Sequence, residues 1–425
     1  MKARYLLGMR SWKLRLRTFG LPCVCVRSAS GLVMAGLLVL GVGCGRRDAD
    51  ALRVVMNLSE EEWSVFRTQV FPAFEEQTGI PVRAFQIPSG QLASQLEALE
   101  QAGRSEIDVF AQDNMSLAAL VNRGLVLDMS AYAERIPGEV TDALVEAGRF
   151  NGRLYFMPFR PNVQISYYNR EAFDRHGLSI PMNWVEVLEV AKAFHAAEGV
   201  GRVVFKADGG NPTATQLYEL ILQAGGDPFV FDDAGCVAAF QFLQELGPYL
   251  SPESSRAKWD TVNEILARQE GYLAQNWPFG VGVLVRDYGL DFIATYGGWE
   301  GPAGRAHVVG GDVLAIPRQT AKKEAALAFI AYLQSQPVQE LLVRELGWPS
   351  IREDAYTDVP AWQQVHFQAV QEALSFGVFR ENVAWWPAYQ QMIVRAFQAI
   401  MDGADVQDTL TRYKRELERE KERFR

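Results

Sequence analysis

The sequence contains little cysteine, little histidine and no surplus of basic charge, and each shortage excludes a class of function. Its 425 residues include four cysteines and four histidines, and 51 Asp and Glu outnumber 42 Lys and Arg, for a net charge of −9. Nucleic acids and anionic membrane surfaces require a basic patch, so we expect neither as a partner. The histidines are scattered, and no HExxH, P-loop or GxSxG motif is present. The sequence therefore predicts no metal, no cofactor and no enzymatic activity.

An N-terminal segment holds three of the cysteines and differs from the rest of the chain. Residues 1–27 carry seven Lys and Arg and no acid, and an apolar run follows over residues 31–43. A run of about 13 residues has the length of a signal-peptide core and is too short for a membrane span. It ends in LGVGC, which resembles a bacterial lipobox, although Gly41 stands where that pattern prefers an aliphatic residue. We predict that residues 1–44 are an export signal and that Cys44 is lipidated; plain cleavage and an uncleaved anchor are the alternatives.

The remaining chain is long enough for two domains and has the pattern of an α/β fold. Short apolar strands alternate with amphipathic helices, beginning with a strand over residues 52–56. Ser59 and Glu62 have the spacing of a capping box at the start of the first helix. Cys236 is the one cysteine beyond Cys44. We therefore expect no internal disulfide and interpret this cysteine as a small buried apolar residue.

Two irregular stretches suggest where the chain leaves regular structure. Residues 154–169 are strand-like but contain Pro158 and Pro161, which remove hydrogen-bond donors and fix the backbone, as a crossing between two lobes would require. Residues 296–311 are rich in glycine and predict a loop, with a strand resuming over residues 313–316.

Three motifs occur in an order that resembles a known family. They are YYNREAF at residues 167–173, GGDVLAIP at residues 310–317 and WPSIR at residues 348–352. In these motifs the chain resembles the bacterial extracellular solute-binding proteins of family 1, the maltose- and trehalose-binding class. The resemblance covers about residues 52–400.

The resemblance implies a two-lobed α/β periplasmic-binding-protein fold of class II, with a ligand cleft between the lobes and a mixed or parallel sheet flanked by helices in each. It implies crossings near Arg160, near residues 308–311 and near residues 346–349. One lobe is then residues 51–160 plus 308–346, and the other is residues 161–307 plus 347–425.

The resemblance also implies a function. The chain is expected to be the extracytoplasmic substrate-binding component of an ABC importer, a monomer held in the cell envelope by its lipid anchor. It would bind a di- or oligosaccharide and deliver it to the permease subunits in the membrane. A sensory binding protein would have the same sequence features and stays an alternative.

Three residues are the first candidates for ligand contacts. Trp277 matches the aromatic motif that stacks on sugar in similar proteins, although packing between strands would also explain it. Asp113 follows the carboxyl end of a predicted strand, where α/β sheets collect ligands, and capping the next helix is its alternative role. Glu62 matches an early acid of the family site less securely, and its capping role explains it almost equally well.

Other candidates depart from the family and leave the substrate open. Arg160 and Asn162 stand where many relatives have an aromatic residue and an Asp, and Asp312 follows Gly311 where they often have Trp. Arginine prefers carboxylate or phosphate partners, so an acidic sugar or a glycerol phosphate is an alternative ligand, as is a polyamine. An ion pair between Arg160 and Asp312 is the other interpretation. At the third crossing, Trp348 and Arg352 complete the predicted site.

A glycoside hydrolase is the rival enzyme. It would use Asp113, Asp312 and Glu62 as paired carboxylates, but nothing in their spacing distinguishes an acid from a nucleophile. Carboxylates also serve as acceptors for sugar hydroxyl groups, so we predict binding without catalysis.

Overall fold

The computed structural model describes residues 50–87 and 89–424. The predicted export signal over residues 1–44 and the predicted lipidation of Cys44 lie outside the described residues. Within them, the strands are β1 Leu52–Val55, β2 Val82–Phe85, β3 Val109–Asp113, β4 Arg149–Phe150, β5 Arg153–Leu154, β6 Met157–Val163, β7 Ile165–Asn169, β8 Val203–Val204, β9 Leu273–Asn276, β10 Ile293–Tyr296, β11 His307–Ala315 and β12 Gly377–Phe379.

The α-helices of the same residues are α1 Glu60–Val65, α2 Phe71–Thr78, α3 Ser89–Gln101, α4 Leu117–Asn122, α5 Asp142–Glu146, α6 Arg170–His176, α7 Trp184–Glu198, α8 Gly210–Gln223, α9 Ala234–Leu246, α10 Trp259–Ala267, α11 Phe279–Val281, α12 Lys323–Leu333, α13 Gln336–Leu346, α14 Ala361–Ser375, α15 Trp386–Met401 and α16 Val406–Lys421. Two π-helical turns occur, at Phe66–Val70 and Gly282–Asp287. None of these helices is both long enough and apolar enough to span a membrane.

Local sequence signals account for many helix ends. The capping box predicted at the first helix is present, because Ser59 and Glu62 each accept a hydrogen bond from the other's backbone N–H. Helix α7 begins after Asn183, whose side chain accepts from the N–H of Glu186, and ends at Gly199, whose φ of 73° is left-handed. An Asn cap satisfies an otherwise unpaired N–H group, and glycine adopts the left-handed conformation without steric cost.

The first sheet has six strands. Five of them follow the order β12-β11-β3-β1-β2, and the sixth, β6, also pairs with β11. Strand β1 is parallel to β2 and β3, whereas β11 is antiparallel to β3 and β6 and parallel to β12. Apolar residues of β1, β3 and β11 form its core with side chains from α1, α2, α12 and α13. The sheet brings Asp113 of β3, Asp312 of β11 and Arg160 of β6 side by side.

The second sheet has four strands in the order β10-β7-β9-β8. Strand β7 is antiparallel to β9 and β10, and β8 is parallel to β9. Helices α7, α8, α9, α15 and α16 supply most of its larger core. Only Gln164 separates β6 of the first sheet from β7 of the second, so the chain passes between the sheets at this residue.

Strand β11 corrects the loop predicted over residues 296–311. The strand begins at His307 and includes Gly310 and Gly311, which pair with Asn162 and Pro161 of β6. These glycines are needed for close backbone approach, because a Cβ at Gly311 would lie 2.1 Å from the carbonyl oxygen of Arg160. A strand rich in glycine therefore has the composition of a loop.

Candidate ligand-binding cleft

A cavity of about 430 Å³ lies between two groups of elements, and we call it the cleft cavity. Its first wall comes from α1, β6 and the turn after α13, which pack on the first sheet. Its second wall comes from α10, α11 and the π-helical turn after α11, which pack on the second sheet. The first wall is formed mainly by Ser59, Glu62, Arg160, Asn162 and Trp348, and the second mainly by Asp260, Phe279, Gly282, Val283 and Arg286.

Arg160 is held between two carboxylates on the first wall. Its Nη1 donates to Glu62 Oε1 at 2.9 Å, and its Nη2 donates to Asp312 Oδ2. The guanidinium carbon lies 4.3 Å from the centroid of the Trp348 ring. Burial acts to lower the pKa of Arg160, but the charges of Asp312 and Glu62 outweigh it and raise that pKa above its ordinary value. The ion pair with Asp312, one of the two interpretations of Arg160 in the sequence, is present in the structure.

Glu62 combines helix capping with this ion pair. Its Oε1 also accepts from Trp348 Nε1 at 2.9 Å, and its Oε2 accepts from the Ser59 N–H at 2.7 Å. The carboxylate therefore fixes the start of α1, the arginine of β6 and the turn after α13 in one arrangement. The predicted capping role of Glu62 is present, and its side chain lines the cleft cavity, where its contact with a ligand stays a prediction.

Asp113 lies next to this cluster but does not line the cleft cavity. Its Cα pairs with that of Asp312 on the neighbouring strand, and its Oδ1 accepts from the Met115 N–H at 2.8 Å as a helix cap. Burial, together with the charge of Asp312, raises the pKa of Asp113, while the charge of Arg380 opposes this rise. Its contact with a ligand stays a prediction.

Arg380, which follows β12, was not found by sequence reasoning. The residue is buried, and its Nη1 donates to Thr215 Oγ1 at 3.0 Å and to Asn211 Oδ1 at 3.4 Å. Its guanidinium carbon lies 5.3 Å from the Trp386 ring centroid. No sequence motif surrounds Arg380, so only the fold connects this charge with Asp113.

Trp277 is buried behind the second wall. Its side chain is 7% exposed, and its ring lies 6.1 Å from that of Trp259 in an edge-to-face arrangement. Its carbonyl oxygen accepts from the hydroxyl of Tyr167 at 2.7 Å. Trp277 does not line the cleft cavity, whereas Phe279, two residues later, is 42% exposed and does. Sequence reasoning singled out Trp277 from this motif and missed Phe279.

Arg352 lines a different cavity. It is buried, and its guanidinium pairs with Asp354 at 2.7 Å and with Glu139 at 3.3 Å. The second cavity measures about 590 Å³ and is lined also by Val309 and Pro161. Pro161 lines the cleft cavity too, with its strand neighbours Arg160 and Asn162. The structure thus brings Glu62, Arg160, Asn162 and Trp348 together, with Asp312 and Gly311 adjoining them.

Carboxylates outnumber guanidinium groups around the cleft cavity. Among the described residues that line it, Glu62, Asp260 and Asp287 face two guanidinium groups, those of Arg160 and Arg286. Arg160 pairs with Glu62 and Asp312, and Arg286 Nε donates to Asp287 Oδ1 at 2.8 Å. The lining therefore has one more carboxylate than it has guanidinium groups. In residues 50–87 and 89–424, no group of His, Cys, Asp or Glu side chains has an arrangement that could hold a metal ion.

Known proteins share both sequence and fold with this chain. Residues 69–369 match the family described as bacterial extracellular solute-binding proteins. A probable amino-acid ABC transporter periplasmic-binding protein of Sinorhizobium fredii is 26% identical over 265 residues, which are 57% of this chain and 55% of that relative. The chain therefore spans about half the length of this curated relative.

Two solved structures illustrate the shared fold. Maltose-bound MalE3 of T. maritima has a TM-score of 0.74 at 22% identity, covering 87% of this chain and 99% of that one. UgpB from Mycobacterium tuberculosis in complex with glycerophosphocholine has a TM-score of 0.73 at 19% identity, covering 87% and 98%. These similarities confirm the predicted two-lobed α/β fold of the periplasmic binding proteins.

Proposed function

This chain belongs to the bacterial extracellular solute-binding proteins, and from that premise we propose that it is the extracytoplasmic substrate-binding component of an ABC importer. It binds a neutral di- or oligosaccharide in the cleft cavity without chemical conversion and delivers it, as a monomer, to the permease subunits in the membrane. The lobes are residues 51–160 plus 308–346 and residues 161–307 plus 347–425, which close on the ligand by bending at the crossings. The exported protein is anchored to the cell envelope through a lipid on Cys44.

The observation that carries the choice of a neutral ligand is the pairing of Arg160. Recognition of a phosphate or carboxylate by arginine uses two parallel N–H donors of the guanidinium fork. In this chain Nη1 donates to Glu62 and Nη2 donates to Asp312, so both terminal nitrogens already pair with carboxylates, whereas the buried Nε has no partner. An anionic ligand would have to compete with both. The acidic excess around the cavity instead suits sugar hydroxyl groups, which donate hydrogen bonds to carboxylate oxygens.

The fold alone does not choose the ligand, because similar folds bind unlike molecules. One solved structure with this fold holds maltose and another holds glycerophosphocholine. For this chain, the pairing of Arg160 with Glu62 and Asp312 favours a neutral sugar over a phosphate ester.

Titration calorimetry on the purified protein tests this proposal. The ligands are maltose, trehalose, glycerol 3-phosphate, glycerophosphocholine and spermidine, and product analysis after incubation checks for hydrolysis. We expect a neutral sugar to bind with a Kd on the order of 1 μM and to remain intact. Binding restricted to the phosphate esters or to spermidine would contradict the neutral-sugar proposal, and hydrolysis of a bound sugar would contradict the absence of catalysis.

A further inference from the structure

Phe279 is the large apolar side chain that the second wall leaves accessible. It follows Trp277 and Pro278, which are both buried, yet 42% of its own surface is exposed. A single exposed aromatic residue is common on protein surfaces, so exposure alone assigns no role. Phe279, however, borders the cleft cavity and also a smaller cavity behind it, together with Gly282, Leu346 and Gly347. The two cavities are therefore neighbours that share one boundary.

The smaller cavity ends at a buried polar group without a partner. Gln363 of α14 lines it and is only 3% exposed, and its Oε1 has no hydrogen-bond partner. A buried amide oxygen left unpaired destabilises the folded protein, so it is rare unless another molecule completes it. Exchanging the amide oxygen and nitrogen would leave a donor unpaired instead, and a hydroxyl group satisfies either one.

The size and polarity of this cavity limit what can enter it. It measures about 20 Å³, which is room for one water molecule or one hydroxyl group. Its lining includes one titratable residue, His366, whose Nδ1 lies 2.8 Å from Thr295 Oγ1. Burial lowers the pKa of His366 to about 4, so this side chain is neutral at physiological pH. A charged ligand group would have no countercharge among the residues that line the cavity.

Two glycines line both cavities. Gly282 lies in the π-helical turn of the second wall, and Gly347 lies in the turn after α13 on the first wall. A Cβ at Gly347 would come within 2.9 Å of Gln363 Nε2, and the φ of 67° there also favours glycine. Any side chain at this position would therefore press on the amide group.

We propose that the cleft contains a buried subsite in which Gln363 hydrogen-bonds a terminal hydroxyl group of the ligand while Phe279 contacts the apolar face of the ligand's ring. This inference rests on the proposed function and narrows the substrate class to neutral ring sugars with an exposed hydroxyl arm. Phe279 then presents an aromatic surface from the second wall of the cleft cavity.

Two variants of the full chain test the subsite, with maltose and trehalose as probes. Gln363→Leu removes the unpaired amide in an apolar setting, so we expect the melting midpoint of the ligand-free protein to rise by about 2–4 °C. The same variant should weaken sugar binding in calorimetry by roughly tenfold, because the ligand hydroxyl loses its partner. Phe279→Ala should weaken binding to a similar degree with little change in the ligand-free midpoint.

Matched controls separate the subsite from nonspecific effects. The control for Gln363→Leu is Gln368→Leu, because Gln368 lies on the exposed side of the same helix. The control for Phe279→Ala is Tyr288→Ala, because Tyr288 is 57% exposed and does not line the cleft cavity. Both should bind sugar like the wild type. If wild type binds a sugar and Gln363→Leu and Phe279→Ala bind it equally well, the subsite is overturned, and the small cavity holds only water. If wild type binds neither sugar, the proposed function fails first, and the subsite falls with it.

Discussion

Trp277 and Phe279 are two residues apart and have opposite environments. The Trp277 ring packs against Trp259, and its outer edge lies over the backbone of Gly310, where a Cβ would come within 3.3 Å of the ring. Phe279 faces the cleft cavity. The same short motif therefore supplies Trp277, which packs against strand β11, and Phe279, which is accessible to a ligand.

This difference gives a prediction for Trp277→Ala. Removing a buried tryptophan leaves a void, so we expect the free energy of unfolding of the ligand-free protein to fall by about 3–5 kcal/mol. Urea unfolding followed by circular dichroism measures the change. Trp362→Ala is the control, because Trp362 is 37% exposed, and it should change the free energy far less. An unchanged unfolding curve for Trp277→Ala would instead favour the ligand contact predicted for this residue from the sequence.

Strand β11 is the element on which the site depends. It carries Gly310, Gly311 and Asp312 in consecutive positions and pairs with β3, β6 and β12. Gly311 has a φ of 133°, and its α-carbon faces the carbonyl oxygen of Arg160 so closely that no side chain fits. The position of Arg160 between its two carboxylates therefore requires glycine on the neighbouring strand.

Gly311→Ala tests this requirement. The new Cβ would meet backbone atoms that cannot rotate away, in a backbone conformation that costs a non-glycine residue about 1–3 kcal/mol by itself. Gly304→Ala is the matched control, because Gly304 has a φ of 116° but a Cβ added there would have no neighbouring atom within 4 Å. We expect Gly311→Ala to destabilise the protein clearly more than Gly304→Ala in urea unfolding. If both variants lose the same free energy of unfolding, the close packing of Gly311 against β6 adds nothing to the cost of the substitution.

Sequence patterns predicted the elements better than the site. The first strand and the capping box of Ser59 and Glu62 are confirmed, because local periodicity and side-chain caps determine them. The two-lobed fold, which the family resemblance implied, is confirmed by the solved structures. The ion pair of Arg160 with Asp312, one of two interpretations of the sequence, is present. The sequence did not reveal Phe279 or Gln363, because exposure and an unpaired amide depend on which helices meet in the folded chain. Glycines in β11 were misread as a loop for the same reason.

At the scale of the whole molecule, a buried polar network joins the two places where the chain links its sheets. Lys206 Nζ donates to Gln164 Oε1 at 2.6 Å and to the Gln275 carbonyl at 2.7 Å. Gln275 in turn donates to Glu219, whose other oxygen accepts from the Val308 N–H at 2.8 Å. Gln164 lies between β6 and β7, and Val308 lies near the start of β11. This network therefore fixes both connecting strands relative to α8, the helix that carries Glu219.

The network predicts a pH dependence of stability. Burial lowers the pKa of Lys206 from 10.5 to about 7, although the charge of Glu219 opposes this shift, and His307 lies 3.4 Å from the same carboxylate. Between about pH 7 and 10.5 the unfolded chain binds a proton at Lys206 that the folded chain has released. The free energy of unfolding contributed by this group should thus rise with pH across that window, by an amount on the order of a few kcal/mol.

Lys206→Met isolates this contribution, since the variant has no group to titrate at this position. We expect the stability of the wild type relative to Lys206→Met, measured by urea unfolding at about pH 7, 8 and 9, to increase steadily, because all other titrating groups are common to both proteins. Lys192→Met, at a surface ion pair with Glu245, provides the comparison and should show a nearly constant difference. A constant difference for Lys206→Met as well would mean that the lysine stays charged in the folded protein. The attraction of the Glu219 charge would then outweigh burial, and the network that links the two sheets would contain a permanently charged buried lysine.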